Sequence, residues 1–215
     1  EQARSLALTP GRALPGPLAA VLTALVLTVG GCGSQPLPEA SAPGASVSTP
    51  VPDARVGSPA PSAPVRFVPT VLVLPGGARA PVEPAQTVDG ELVVPENVQH
   101  VGWWDGSAYA GDAYGSTVIA GHVDSATEGL GFFARLLRLE PGEVVSVRRG
   151  SHRQRYRILS VRAVAKQALA TSSSAFDQTG EHRLVLITCA GRYRAGQGGY
   201  ESNLVVTAAP LGAAR

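Results

Sequence analysis

From Val65 onward the chain is built of short runs of β-branched and aromatic residues, each closed off by Gly, Pro, Asp or Asn. That spacing is too short for ordinary helices and suits strands. It predicts strands at Thr70–Leu74, Leu92–Val94, Gln99–Trp103, Ser116–Ala120, Glu143–Val147, Tyr156–Val164, Leu184–Thr188 and Leu204–Thr207. Turn chemistry separates them at Pro75-Gly76-Gly77, Asp89-Gly90, Pro141-Gly142 and Gly198-Gly199. One segment has helical spacing, Gly131–Leu139, with Phe132, Leu136 and Leu137 on an inner face and Arg135 and Arg138 turned to water. The expected fold is mainly β: a closed or nearly closed eight-stranded barrel with one or two short helices.

Upstream the texture changes twice. Residues 1–34 carry two arginines, Arg4 and Arg12, ahead of an uncharged stretch from Ala13 to Pro38 whose apolar centre is Leu18 to Val29. That centre is shorter than the roughly 20 apolar residues of a free-standing membrane span and fits a secretory segment. If the helix runs from Leu14 to Gly33, it could just span as an uncleaved signal anchor. Val29-Gly30-Gly31-Cys32 also resembles a bacterial lipobox, so a lipoprotein-type signal is the other reading. Residues 35–64 form a Pro/Ala/Ser-rich linker; nine of the chain's eighteen prolines fall between Gln35 and Thr70. Such a stretch cannot offset its ordering entropy by burial and serves as a semi-rigid spacer. Either signal reading puts the domain at 65–212 outside the cytoplasm, anchored to the cell membrane.

The net charge of +2 offers no concentrated basic surface in the composition, which excludes nucleic acid as an expected partner. The two cysteines, Cys32 and Cys189, are too few for a structural zinc site. His100, His152 and His182 have no metal-ligand spacing, so neither a metal nor a cofactor is expected.

Chemistry gathers at two strand ends. Thr117-Val-Ile-Ala-Gly-His122 and Leu184-Val-Leu-Ile-Thr-Cys189 are apolar strands that deliver a His and a Cys at their exits. A rigid strand fixes such a residue while the following loop stays open. A neighbouring imidazolium would favour the thiolate that a nucleophilic Cys needs. Spacing alone leaves the ordinary reading open, a buried Cys in an apolar run and a structural His.

Ordered segments narrow the choice. Asp89-Gly-Glu-Leu-Val-Val-Pro95, Val101-Gly-Trp-Trp104, Thr117-Val-Ile-Ala-Gly-His-Val-Asp-Ser125, Leu139-Glu-Pro-Gly-Glu143, Leu184-Val-Leu-Ile-Thr-Cys-Ala-Gly191 and Tyr200-Glu-Ser-Asn-Leu-Val-Val206 follow one another as in the sortases. From about Val65 to Ala209 the chain resembles actinobacterial sortases, in particular the class F group. The resemblance implies an eight-stranded sortase barrel and a cysteine transpeptidase. In that reading Cys189 attacks a Thr–Gly-type bond in an LPXTG- or LAXTG-like C-terminal sorting signal of an exported protein. His122 is the general acid/base, and the acyl group passes to a peptidoglycan-precursor amine.

The resemblance breaks at one place. Most sortases supply an Arg on the last strand, just after a Tyr in class F, where this chain reads Tyr200-Glu201-Ser202-Asn203. Glu201 cannot stabilise an oxyanion, whereas the amide of Asn203 can. Arg192 and Arg194 are rivals from the preceding loop; Asn203 is preferred because a strand residue is better preorganised. Thr188 is read either as a brace for the site or as a plain β-branched strand residue. Asp124 is poorly placed to orient His122, and Trp103 and Trp104 are expected to pack in the core. Specificity is expected in the loops Gln167–Gln178 and Ala190–Ser202.

Two cell-wall cysteine families fit less well. NlpC/P60-type peptidases place Cys before His, and L,D-transpeptidases carry an SHGC-type run that Ile187-Thr-Cys-Ala-Gly191 lacks. A different class of reading is a catalytically impaired barrel that binds sorting peptides or wall polymer. A Cys32–Cys189 disulfide would require a membrane-segment Cys to reach the barrel and is discounted.

Overall fold

The computed structural model describes residues 6–7, 63–171 and 174–215. Most of the expected signal segment and linker therefore lies outside the described residues.

Eight strands close into a barrel: β1 (Val71–Val73), β2 (Arg79–Ala85), β3 (Val101–Trp104), β4 (Ser116–Ala120), β5 (Val144–Arg149), β6 (His152–Ala165), β7 (Arg183–Arg194) and β8 (Gly199–Pro210). Around the wall they run β5-β6-β8-β7-β4-β3-β2-β1 and back to β5. All neighbours are antiparallel except β4/β7 and β2/β3, which are parallel. Leu72, Trp103, Ile119, Tyr156, Leu186 and Val206 fill the interior. On β7 and β4 the alternate residues are apolar too: Val185, Ile187, Val118 and Ala120 join Val205 in a second cluster under Leu92, Leu169 and Ala175. The Lys166–Thr171 helix supplies Leu169, and a 3₁₀ turn, Ser174–Phe176, supplies Ala175. Cover on both faces is why Leu184–Ile187 reads as a continuous apolar run.

The strand count of eight holds, but one assignment does not. Leu92–Val94 is no barrel strand. Glu91–Leu92 lies in a small separate sheet with Thr87–Val88 and Leu6–Ala7. The strand missing from the expectation is β2, whose Pro81 and Pro84 argued against it. Pro81 sits opposite Val71, and the adjacent ladder bond runs from Val82 N–H to Thr70 C=O. Pro81 thus occupies a position where no N–H is required of it.

Two further corrections are local. Gly131–Leu139 is a 3₁₀ helix over Phe132–Arg138, and Phe133 is buried in place of Leu137, which is exposed. Three residues per turn put Phe133 and Leu136 on one face. The expected loop Ala190–Ser202 is mostly strand: β7 and β8 extend as a hairpin to Arg194 and Gly199, past a register shift between Ala190 and Tyr193.

Candidate active site

β4 and β7 run parallel in register, with Val118 beside Val185 and Ala120 beside Ile187. Gly121 carries the ladder further, its N–H donating to the Ile187 carbonyl (3.1 Å). The next position along each strand is His122 and Cys189. On the other side of β7, Ile187 pairs with Val205 of β8, and Cys189 pairs with Asn203. Val118, Ala120, Val185, Ile187 and Val205 all point into the outer cluster. Strand alternation carries that face two residues on, to Cys189 of β7 and Asn203 of β8. Cys189 and Asn203 therefore sit opposite each other on one face of β7 and β8, and His122 follows two residues beyond the end of the neighbouring strand β4. Neighbouring strands stand about 4.8 Å apart, which brings such residues within reach of one substrate group.

These positions are held from behind. Thr188 is buried with its hydroxyl donating to the Gly121 carbonyl (2.9 Å), tying the residue before Cys189 to the residue before His122. A Cβ on Gly121 would press on the Phe133 and Val101 side chains (3.0 Å to each), so both would have to give way by a few tenths of an ångström. Beyond His122 the chain is clamped again: Gly131 N–H donates to the Val123 carbonyl (2.9 Å), and Asp124–Ser125 pairs with Gly129–Leu130. A Cβ on Gly131 would collide with the His122 carbonyl. Asp124 accepts a hydrogen bond from the Tyr200 hydroxyl, which spans from the start of β8 to the loop after His122. Sequence reasoning missed Tyr200, since only the fold brings it to Asp124.

His122 and Cys189 are half-buried, consistent with groups that must meet a substrate. Asn203 is 1% exposed, and its Oδ1 is buried with no hydrogen-bond partner among the described residues. An unpaired buried amide oxygen costs about 1–3 kcal/mol, so its retention beside a thiol calls for a reason. Glu201, two residues earlier on β8, is exposed and occupied from β7: it accepts from Arg192 N–H (3.3 Å) and from Arg194 Nε (3.3 Å). A recess of about 290 Å³, lined by Lys166, Gln167, Arg194, Tyr200 and Glu201, opens on this side. The two tryptophans divide. Trp103 is core and stacks with Tyr109, while Trp104 is half-buried, edge-on to Phe176, with its indole N–H donating to Thr87 (3.1 Å).

The other histidines are engaged elsewhere: His100 with Glu83, His152 stacked on Phe67, and buried His182 against the Tyr156 hydroxyl (3.0 Å). Burial holds the His182 imidazole below its ordinary value of 6.5. Among the described residues no group of three or more His, Cys, Asp or Glu is arranged to hold a metal, and no helix is long and apolar enough to cross a membrane. A larger recess, about 610 Å³ and lined in part by Val65, Asp112, His182 and Pro210, lies at the opposite end of the barrel.

The family model described as the Sortase domain matches residues 77–211. Among solved structures the chain is similar to sortase A from Corynebacterium diphtheriae, at 21% identity and a TM-score of 0.51, covering 69% of this chain and 62% of that one. The match thus spans less than two thirds of the C. diphtheriae chain. Sortase C of Streptococcus pneumoniae is similar at 18% identity and a TM-score of 0.50, covering 66% of this chain and 65% of its own. The SrtA sortase from Actinomyces oris is similar at 17% identity and a TM-score of 0.52, covering 72% of this chain and 89% of its own. At these identities what is shared is the fold. No curated protein matches the chain.

Proposed function

The chain belongs to the sortase family of cysteine transpeptidases, and on that premise we propose that it is a membrane-tethered, class F-like sortase acting outside the cytoplasm. It cleaves a C-terminal sorting signal, LPXTG- or LAXTG-like, at a Thr–Gly-type bond and transfers the acyl group to a cell-wall amine. The observation that supports this reading is the Cys189–Asn203 pair across β7 and β8, with the parallel β4/β7 register leading to His122 just beyond the adjoining strand end.

The Cys189 thiolate attacks the threonyl carbonyl carbon, and the resulting oxyanion is met by the Asn203 amide from the neighbouring strand. The C–N bond breaks as His122 hands its proton to the departing amine, leaving an acyl-thioester on Cys189. His122, now neutral, takes a proton from the incoming amine, which attacks the thioester and releases the thiolate. Covalent catalysis divides one hard amide exchange into two easier steps, and one imidazole serves both proton transfers. Trp104 and Phe176, half-buried at the edge of the outer cluster, offer the peptide apolar contact. The segments Gln167–Gln178 and Ala190–Ser202 border it and set which signal is read.

The test is turnover of a library of LPXTG- and LAXTG-like peptides. Cleavage between Thr and Gly that vanishes in Cys189→Ala supports the proposal; cleavage that survives the substitution defeats it. A barrel that binds such peptides without cleaving them would establish the impaired-module reading instead. With His122 as acid and base, kcat/KM is bell-shaped in pH, and a flat profile removes it from that role.

A further inference from the structure

The small net charge conceals a segregated one. Between Val144 and Ala165 lie six arginines, Arg148, Arg149, Arg153, Arg155, Arg157 and Arg162, and no acidic residue. Strand alternation sorts them. Val145, Val147, Gln154, Tyr156 and Ile158 point inward and are buried, so Arg148, Arg153, Arg155 and Arg157 share the outer face of β5 and β6. Arg148 is directly opposite Arg153. The terminal Arg215 is bonded through its backbone to the other side of Arg153 (Arg215 N–H to Arg153 carbonyl, 3.1 Å), placing three arginines side by side. None of these residues makes an ion pair among the described residues, and the buried Arg148 Nε has no hydrogen-bond partner there. Like charges directly opposite across a ladder weaken a sheet. A bound anionic surface would relieve that repulsion.

Position names the surface. Tyr156 pairs with Pro210 at the end of β8, while Cys189 pairs with Asn203 near its start. Seven residues of β8 separate Asn203 from Pro210, which is about 23 Å of strand. The arginine row and the reactive residues thus lie toward opposite ends of the barrel, with β5 four strands round the ring from β4. The N-terminal sequence enters the domain at the arginine end, where Thr70 N–H donates to the Arg148 carbonyl (2.8 Å). The expected linker, residues 35–64, is 30 residues with a reach of up to about 93 Å at about 3.1 Å per residue, so it does not by itself fix the height of the barrel above a membrane.

We propose that the arginine face of β5 and β6 docks on the anionic phospholipid headgroups of the membrane that carries the N-terminal segment, holding the barrel down with its Cys189 end directed outward. This rests on the membrane-tethered reading above. It adds an orientation which that reading does not contain. A basic sheet face at the tether end suits an anionic headgroup surface, with attraction that salt screens within about 10 Å.

The test is arginine footprinting. The full chain is reconstituted in vesicles of phosphatidylcholine alone or with phosphatidylglycerol, treated with phenylglyoxal, and each arginine is read by mass spectrometry. Modification of Arg148, Arg153, Arg155 and Arg157 is expected to slow by about fivefold in the anionic vesicles at low salt and to recover at high salt, with Arg192 and Arg194 unchanged. In the R148Q/R153Q/R155Q variant the slowing at Arg157 is lost. Equal rates in both vesicles, or slowing at Arg192 and Arg194 as well, overturn the proposal. Protection by soluble polyphosphate without protection by anionic vesicles also overturns it, in favour of a polymeric anion. Peptide cleavage by the same protein in detergent reports the thiol chemistry separately, so either result can fail without the other.

Discussion

The parallel pair β4/β7 carries a histidine at each end, and the two are opposites. His182, at the entry to β7, is buried and bonded to Tyr156. His122, at the exit of β4, is half-buried on an open face beside the strand position of Cys189. The same two strands thus make a structural histidine where the chain is covered and a chemical one where it leaves the sheet. Burial with a partner consumes an imidazole; a braced exit leaves it available.

The largest effect that could break this contrast is on activity. Cys189→Ala should reduce peptide cleavage to background, and His122→Ala should cost about 10²–10⁴ in kcat with the melting temperature nearly unmoved. His182→Phe should do the reverse, leaving kcat per folded molecule intact while lowering stability. Next in size is Asn203→Ala. If its amide meets the oxyanion, kcat per folded molecule falls by about 10²–10³ with KM little changed. Equal loss in kcat and stability would make Asn203 a packing residue, and a larger kcat loss in Arg194→Ala would transfer the role to Arg194.

Smaller effects sharpen the picture. Thr188→Val keeps the shape and deletes the hydroxyl bond to the Gly121 carbonyl, so it should cost about 1–3 kcal/mol in denaturant unfolding and lower kcat as well. Thr188→Ser should restore much of both. The smallest is a pH effect at the other end. The unfolded chain protonates His182 near 6.5, whereas burial makes the folded chain resist that proton. Stability is therefore complete above pH 6.5 and is lost as pH falls below it, by a few degrees in Tm. In His182→Phe that part of the slope disappears.

Much of this was legible in the residues because strand period and strand ends are local signals. Leu184–Cys189 and Thr117–His122 announced two apolar strands with reactive exits, and the ordered segments around them pointed to the family that the match over 77–211 establishes. Strand β2 was hidden by Pro81 and Pro84, whose missing N–H groups matter only once the ladder pattern is known. The swap of Phe133 for Leu137 followed from a 3₁₀ rather than an α period. Tyr200 on Asp124 and Glu201 under Arg194 depend on the β7–β8 hairpin, whose length no local pattern declared. The arginine face was present in the alternation Arg153, Arg155, Arg157, but net charge averages such segregation away.

The central claim is that Cys189 forms the covalent intermediate on this barrel face. Intact-mass measurement of the protein mixed with a cleavable LPXTG-like peptide, with no amine acceptor present, tests it most directly. The predicted result is an adduct equal to the acyl half of the peptide, mapped to Cys189, discharged by hydroxylamine and absent from Cys189→Ala. Cleavage with no adduct on Cys189, or an adduct that persists in Cys189→Ala, would contradict it.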